Sequence, residues 1–198
     1  KEMTMKVAII GGGIGGTATA CAMLGKGFDV TIFEQAPVFG EVGAGVQITP
    51  NAVKAIMGLG LEDKLLKAAF YPRAVTGRHW QSGRQNFRID LGDEFRAHYR
   101  APFTHIHRAD LLEIFTSSLP ADICRFNMRC TGVVQTEGGA RAEFSDGSHF
   151  DADLIIASDG INSKIRNAYQ DVFQPDLVVR PNRYIWLGTD KSYDAFTF

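Results

Sequence analysis

The amino-terminal part of the chain consists of short apolar runs separated by a run of small residues. Residues 7–10 are apolar and mostly β-branched, which is typical of a strand buried on both faces of a parallel sheet. Residues 17–24 are small and compatible with a helix, and the glycines that follow them favour its end. Residues 28–33 predict a second strand. The pattern therefore predicts a strand, a helix and a strand in that order.

The remaining apolar pattern predicts further helices and strands. Helices are predicted at 50–57, opened by Thr49 and Pro50, at 61–69, at 109–118 and from Ser163 onwards. Strands are predicted in an antiparallel hairpin over 74–91, in a meander at 129–135, 141–144 and 149–151, and at 154–157. Residues 183–198 predict one strand and the beginning of another. Because the hairpin interrupts the alternation of strands and helices, we expect it to be an insertion in an α/β fold.

Three glycines with the spacing GxGxxG lie between the first strand and the first helix: Gly11, Gly13 and Gly16. The first permits a tight turn, the second lets the backbone approach a pyrophosphate, and the third allows close packing of the helix on the sheet. The N-terminus of the helix offers unpaired N–H groups to phosphates. Glu34 ends the second strand, about 20 residues further on, where an acid accepts hydrogen bonds from ribose hydroxyls.

These features together predict a dinucleotide-binding site. The motif alone does not separate FAD from NAD. A carboxylate at this position does disfavour NADP, because the 2′-phosphate would lie against it.

The composition mainly excludes some classes of partner and of site. The chain has 198 residues, 45% hydrophobic and 22% charged, which suits one domain, or one domain and part of another. A net charge of −1 gives no electrostatic case for nucleic acid or an anionic membrane. Three cysteines without a CxxC and five scattered histidines indicate neither a disulfide framework nor a metal site. We therefore expect reduced cysteines in a cytoplasmic protein without membrane helices.

A second motif follows the strand predicted at 154–157. In "SDGINSKIR", the residues Asp159, Gly160, Ser163 and Arg166 have the spacing DGxxSxxR. Together with the glycine motif, its distal acid and the blocks "GAGVQITPNAVKAI" and "HRADLLEIF", this motif resembles the single-component, FAD-dependent aromatic hydroxylases. Para-hydroxybenzoate, salicylate and 6-hydroxynicotinate hydroxylases belong to that group. The resemblance covers nearly the whole chain.

The resemblance implies roles for individual residues. Arg108 corresponds to an arginine that reaches the phosphates and ribityl chain of FAD, where a guanidinium can donate two hydrogen bonds. Residues 45–47 correspond to a loop beside the isoalloxazine ring, in which Gln47 is a candidate for substrate specificity. Cys130 corresponds to a position whose backbone approaches the adenine, and its thiol is expected to be buried and inert. His107 is expected to be a packed neighbour.

Asp159 and Gly160 are expected to contact the FAD pyrophosphate. The alternative is that Asp159 only caps the following turn and that Arg166 forms a surface ion pair. The complete set of expected cofactor contacts is Gly11, Gly13, Ile14, Gly15, Gly16, Glu34, Gln35, Gly45, Val46, Gln47, Arg108, Cys130, Asp159 and Gly160. No catalytic residue and no metal ligand is assigned.

The fold implied by the resemblance is an α/β fold. A Rossmann-like FAD-binding domain with a β-meander is expected at 5–72 and 104–180, and parts of a substrate-domain sheet at 73–103 and 181–198. Family members are roughly twice as long, beyond the typical size of one domain. We therefore expect a truncated chain that hydroxylates nothing efficiently alone, because water would reach an uncovered flavin.

The activity implied by the resemblance is hydroxylation of a small aromatic compound by FAD, with NADH or NADPH as co-substrate and dioxygen as oxidant. One alternative is a flavin-dependent reductase or dehydrogenase on the same scaffold, such as the geranylgeranyl reductases. Another is a non-catalytic fragment that binds FAD or part of it. The block "GAGVQITPNA" favours the hydroxylases. The aromatic substrate, the choice between NADH and NADPH, and the oligomeric state stay open.

Overall fold

The computed structural model describes residues 4–40, 43–183, 185 and 189–198. The chain divides into two compact units. The first unit consists of Lys1–Val42 and Leu112–Pro181, and the second consists of Gly43–Leu111 and Asn182–Phe198. The predicted domain bounds cut the chain at other residues and remain a prediction. Within the described ranges, no helix has the length and apolar character needed to cross a bilayer.

The helices and strands of the described residues are numbered in chain order. The helices are α1 Ile14–Gly25, α2 Pro50–Gly58, α3 Glu62–Ala68, α4 Asp93–Tyr99, α5 Arg108–Thr116, α6 Lys164–Ala168 and α7 Gln170–Phe173. The strands are β1 Lys6–Ile10, β2 Asp29–Phe33, β3 Gly45–Ile48, β4 Ala74–Arg78, β5 Gln85–Asp90, β6 Thr104–His107, β7 Cys124–Arg125, β8 Cys130–Thr136, β9 Gly139–Phe144, β10 His149–Ala152, β11 Leu154–Ala157 and β12 Phe196–Thr197.

A parallel sheet forms the centre of the first unit. Its strand order is β11-β1-β2-β7, and all of its pairings are parallel. Successive side chains of a strand point to opposite faces. On one face, Val7 and Ile9 of β1 join a core that includes Ala20 of α1. On the other face, Ala8 and Ile10 join a second core with residues of the meander. β1 is therefore buried on both faces, which explains its continuous apolar sequence.

The antiparallel meander β10-β9-β8 covers the second face of this parallel sheet. Phe33, at the end of β2, is 1% exposed, and its ring lies 4.7 Å from the ring of Phe144 and 4.8 Å from that of Phe150. Tilted and edge-to-face ring pairs of this kind contribute about 0.5–1.5 kcal/mol each beyond their buried area. This aromatic cluster fixes the end of β2, and the next residue is Glu34.

The second unit contains two smaller sheets, and its helices include α2 and α3, which pack together. Strands β3 and β6 form an antiparallel pair, and β4 lies between β5 and β12 in a three-stranded sheet. In the β4–β5 hairpin, the ring of Phe87 covers Gly77 so closely that any Cβ at Gly77 would collide with it. Val53 of α2 and Leu65 of α3 are fully buried. The predicted hairpin and the carboxyl-terminal residues thus share one sheet.

Most elements predicted from the apolar pattern are confirmed, including the first strand, helix and strand, the hairpin, the meander and β11. The expectation of a loop at residues 45–47 is wrong, because these residues form β3 through pairing with β6. The pattern also did not predict α4, β6, β7 and α7. The predicted strand within 183–198 lies partly outside the described residues, and β12 is the described strand of that segment.

Candidate cofactor-binding site

The glycine turn after β1 is held by close backbone contacts. Gly11 has φ +107°, a conformation that favours glycine, and an added Cβ would collide with the carbonyl oxygen of Ser158. A Cβ at Gly16 would in turn collide with the carbonyl oxygen of Gly11. The predicted roles of these two glycines, a tight turn and close packing of α1, therefore agree with the geometry.

The N-terminus of α1 is open to a ligand. Gly13 is the N-cap, no side chain caps the helix, and no acidic residue lies in its first turn. The first N–H groups of a helix have no partner within the helix, and with the helix dipole they favour an anion. Ile14 and Gly15 lie in this turn, and a Cβ added at Gly15 would meet nothing within 4 Å. The turn therefore offers donors and room for a phosphate group.

The Glu34 carboxylate joins the end of β2 to the glycine turn. Its Oε2 accepts a hydrogen bond from the Gly12 N–H at 2.6 Å, and its Oε1 accepts one from the Ala36 N–H at 2.8 Å. Each carboxylate oxygen has a further lone pair. The side chain is therefore oriented before any ligand binds and can still accept hydrogen bonds from hydroxyls. Gln35, the neighbouring residue, is exposed.

The second sequence motif lies next to the glycine turn. Ile10 and Ala157 are paired in the β1–β11 ladder, so Gly11 and Ser158 follow at the same edge of the sheet. Asp159 comes next, and Gly160 has φ +80°. The structure thus brings together two motifs that are far apart in sequence, at the carboxyl ends of parallel strands where α/β sheets bind ligands.

Asp159 and Arg166 both have a structural role in this motif. Asp159 Oδ2 accepts hydrogen bonds from the N–H groups of Lys164 at 2.9 Å and Ile165 at 3.4 Å, so it caps α6. The guanidinium of Arg166 donates to the carbonyl oxygen of Ile161 at 2.8 Å. The capping that the sequence offered as an alternative is therefore present. The contact of Asp159 with the pyrophosphate stays a prediction.

The remaining predicted contacts in the first unit concern a cysteine on β8. Cys130 is half-buried, and its thiol donates to the carbonyl oxygen of Gly132 at 3.3 Å. Burial raises the pKa of the Cys130 thiol above its ordinary value. Burial, with the nearby charge of Glu34, also raises the pKa of Cys124 to about 12. Both groups therefore remain thiols at neutral pH and are poor nucleophiles.

The second unit brings the other predicted contacts together. Gly45 pairs with His107, Val46 with Ile106 and Gln47 with His105 across β3 and β6. Arg108 begins α5 directly after β6, and its N–H donates to the carbonyl oxygen of Ala44 at 2.8 Å. The two blocks that carry the family resemblance in this unit are therefore adjacent in space.

His107 is exposed at the end of β6, and its ring lies beside the backbone of Gly43. A Cβ added at Gly43 would lie 2.8 Å from the imidazole of His107, so the ring lies directly on the glycine backbone. The expectation of a packed neighbour therefore holds only for this one contact, because the residue as a whole is exposed.

His105 is a candidate residue that the sequence analysis did not identify. It lies opposite Gln47, and residues directly opposite in an antiparallel pair point to the same face. Its ring lies 4.7 Å from the ring of Phe196 and 5.5 Å from that of Phe103. Burial lowers the pKa of His105, so the imidazole is neutral at neutral pH. The repeated histidine at alternate positions in "THIH" was the available signal.

A recess of about 660 Å³ adjoins His105 within the second unit. Its other aromatic lining residues are Phe70, Tyr193 and Phe196. A recess with aromatic walls suits a planar aromatic ring.

Comparison with known proteins agrees with this geometry. The FAD binding domain family matches residues 4–174. The 6-hydroxynicotinate 3-monooxygenase of Bordetella bronchiseptica is 41% identical over 161 residues, which cover 81% of this chain and 42% of that protein. A salicylate hydroxylase of Pseudomonas putida is 36% identical over 170 residues, which cover 84% of this chain and 38% of that protein.

Solved structures show the same fold. The structure of Klebsiella pneumoniae HpxO complexed with FAD and uric acid has a TM-score of 0.71 and 29% identity, and the match covers 79% of this chain and 39% of that one. The chain spans about 40% of the length of the curated relatives. These relatives are aromatic monooxygenases and hydroxylases by name. The chain belongs to the FAD binding domain family.

Proposed function

We propose that this chain is the FAD-binding portion of a monooxygenase that hydroxylates a small aromatic compound, with NADH or NADPH as electron donor and dioxygen as oxidant. The single observation that carries the proposal is the meeting of the two motifs. Gly11 packs against the backbone of Ser158, directly before Asp159 and Gly160. This arrangement offers a dinucleotide both a glycine turn and a second backbone segment at one sheet edge.

The residues of the first unit fit FAD. The uncapped N-terminus of α1, with open space beside Gly15, would hold the pyrophosphate. The remaining lone pairs of Glu34 would accept hydrogen bonds from the adenosine ribose. The backbone near Cys130 and the Asp159–Gly160 segment are assigned further contacts to the adenine and the pyrophosphate. When bound, FAD supplies the redox chemistry, accepting a hydride from NAD(P)H and activating dioxygen.

The residues of the second unit are assigned the flavin side and the substrate. A guanidinium suits phosphate and ribityl oxygens, and we assign this contact to Arg108. Gln47 is proposed to set substrate specificity through a side-chain hydrogen bond. His105 lies on the same face of the β3–β6 pair as Gln47, and its imidazole is neutral. It can therefore donate a proton to a polar group of an aromatic ligand or accept a proton from that group.

The names of the relatives favour hydroxylation over the alternatives. They act, by name, on 6-hydroxynicotinate and salicylate, both small aromatic acids with a hydroxyl group. A reductase or dehydrogenase on the same scaffold would consume NAD(P)H without placing oxygen in its substrate. A cytoplasmic location is proposed as well, because the three cysteines are free thiols, which is typical of proteins in reducing compartments.

FAD binding is the first test of this proposal. Titration of the purified chain with FAD, followed by flavin fluorescence, should give saturable one-to-one binding. The exposed Glu137→Ala variant should bind like the unmodified chain, whereas Glu34→Ala should bind more weakly. Binding that is absent, or insensitive to Glu34, would contradict the assignment.

The activity is tested on this chain together with the polypeptide that its relatives carry outside the matched region. Hydroxybenzoates and hydroxypyridines are offered with NADH or NADPH under ¹⁸O₂. Substrate-stimulated NAD(P)H oxidation with ¹⁸O in the product supports hydroxylation. NAD(P)H oxidation that is accompanied by reduction of the substrate, with no ¹⁸O in the product, indicates a reductase.

A further inference from the structure

Two phenylalanines form an aromatic pair beside the glycine turn of the first unit. The rings of Phe39 and Phe126 meet edge to face, with their centroids 4.9 Å apart and their planes at 80°. Both side chains are only partly buried, and neither belongs to the two cores on the faces of the parallel sheet. The place of this pair must therefore be explained by what the two rings contact.

The ring of Phe39 packs on Gly12 beside the Glu34 carboxylate. A Cβ added at Gly12 would lie 3.0 Å from Cε1 of Phe39 and 3.1 Å from Oε2 of Glu34. The ring and the carboxylate are therefore on the same side of Gly12, close to one point. The Gly12 N–H donates to that same Oε2 at 2.6 Å. Hydrocarbon next to a hydrogen bond lowers the local dielectric and excludes water, which strengthens the bond.

The identity of Gly12 supports this arrangement. Gly12 occupies an unspecified position of the GxGxxG motif, so the motif itself does not require glycine there. Its backbone does not require glycine either, because its φ is not positive, unlike that of Gly11. The contacts with Phe39 and Glu34 do explain it, since a side chain at position 12 would push one of them away.

The loop that carries Phe126 is bonded to the segment that carries Glu34. The N–H of Met128 donates to the carbonyl oxygen of Glu34 at 2.8 Å, and the N–H of Asn127 donates to that of Ala36 at 3.1 Å. The ring of Phe126 is thus fixed against this segment. Its edge-to-face contact restrains the partner ring in turn.

We propose that Phe39, supported by Phe126, is a positioning residue for the cofactor, because it holds the Glu34 carboxylate in the orientation that binds the adenosine ribose. This role rests on the proposed binding of FAD. Neither ring is assigned a contact with the flavin. Without the Phe39 ring, the Glu34 side chain would regain rotational freedom, and water would compete for its hydrogen bond with Gly12. The ribose would then meet a carboxylate that is less well preorganised.

A double-mutant cycle tests whether Phe39 acts through Glu34. The Kd is measured for FAD and for ADP, which has the adenosine and the pyrophosphate without the flavin, in the unmodified chain, Phe39→Ala, Glu34→Ala and the double variant. Phe39→Ala should raise both Kd values about tenfold, because preorganisation of the carboxylate is lost. The double variant should bind no more weakly than Glu34→Ala, since no carboxylate is then left to position.

Hydrogen exchange measures the same role without any ligand. In Phe39→Ala, the Gly12 N–H should exchange about tenfold faster than in the unmodified chain, because its hydrogen bond to Glu34 is no longer shielded. Val38→Ala is the matched control, since Val38 is the preceding residue and is 62% exposed. It should change neither the exchange nor the Kd values. Phe126→Leu provides a second variant that should shift both in the same direction as Phe39→Ala, and urea denaturation shows which variants fold.

Three results would overturn the proposal. The first is an unchanged exchange rate of the Gly12 N–H in the folded Phe39→Ala and Phe126→Leu variants. The second is a Phe39→Ala variant that binds FAD and ADP as tightly as the unmodified chain does. The third is a double variant in which the two losses of affinity multiply, since Phe39 would then act independently of Glu34. An unmodified chain that binds neither FAD nor ADP refutes the proposed function instead, and the Gly12 exchange then decides alone whether Phe39 positions Glu34.

Discussion

Glu34 provides the sharpest test of the cofactor site, because its two carboxylate oxygens have different backbone donors. Replacing it with alanine removes the acceptor for the N–H groups of Gly12 and Ala36. It also removes the lone pairs assigned to the ribose. Glu34→Gln keeps the shape but places an amide NH₂ opposite one of the two backbone N–H groups, so that two donors face each other.

The expected magnitude follows from these hydrogen bonds. A hydrogen bond to a charged group contributes about 1.5–3 kcal/mol. Loss of the contact to the ribose should therefore raise the Kd for FAD about 10- to 150-fold in Glu34→Ala. Without FAD, Glu34→Ala should lose about 1–2 kcal/mol of unfolding free energy. This is the lower end of the cost of leaving hydrogen-bond donors without an acceptor, because water can reach this partly exposed site.

The assay combines two measurements on the same preparations. FAD titration by fluorescence gives the Kd, and urea denaturation without FAD gives the free energy of unfolding. Glu34→Gln should weaken FAD binding by less than Glu34→Ala but should still lower the stability, whereas Glu137→Ala should change neither. If Glu34→Ala binds FAD as tightly as the unmodified chain does, the ribose assignment is refuted, even if its stability falls.

Three further predictions concern other residues. Gly16→Ala should lower the melting temperature by more than 10 °C or prevent folding, because its Cβ would collide with a backbone carbonyl oxygen. Gly15→Ala, which has open space in the same helix, should be neutral or stabilising by up to about 1 kcal/mol. Equal effects of the two variants would contradict the packing. Burial lowers the pKa of His105 below its ordinary 6.5, so, as the pH falls, the unfolded chain is protonated at this residue before the folded chain is. Stability should therefore be complete above that pH and fall below it by at most about 1.4 kcal/mol per pH unit, and His105→Phe should remove this dependence in urea melts. Arg108→Ala should release FAD faster than Arg166→Ala does in a flavin-release experiment, and the reverse order would argue against the assigned contact.

Local sequence patterns predicted the parts of the fold whose stabilising contacts are close in sequence. The turn before α1, the end of α1 and the β4–β5 hairpin each follow from residues within a short window. β3 and β6 were not predicted, because each is a four-residue strand stabilised by a partner more than 50 residues away. Helix α4 has no buried residue, so the apolar pattern gave no signal for it.

The candidate site shows the same division between local and long-range information. The spacing of the glycines and the place of Glu34 could be predicted from the sequence, since a turn and a strand end set them. The two donors to the Glu34 carboxylate and the capping of α6 by Asp159 depend on the folded backbone. His105 was missed because its importance depends on its partners across the sheet and not on its neighbours in sequence.

Strand order explains why the two motifs form one site. β1 and β11 are neighbours in a parallel sheet, and parallel strands end at the same edge, so the residues that follow Ile10 and Ala157 must meet. No property of Gly11 or Ser158 in sequence indicates this meeting. It follows from the register alone, and it adds a second constraint at Gly11. A residue that tolerated the positive φ, such as asparagine, would still drive its Cβ into the Ser158 carbonyl oxygen. The first glycine of the motif is therefore required as much by the distant segment as by its own turn.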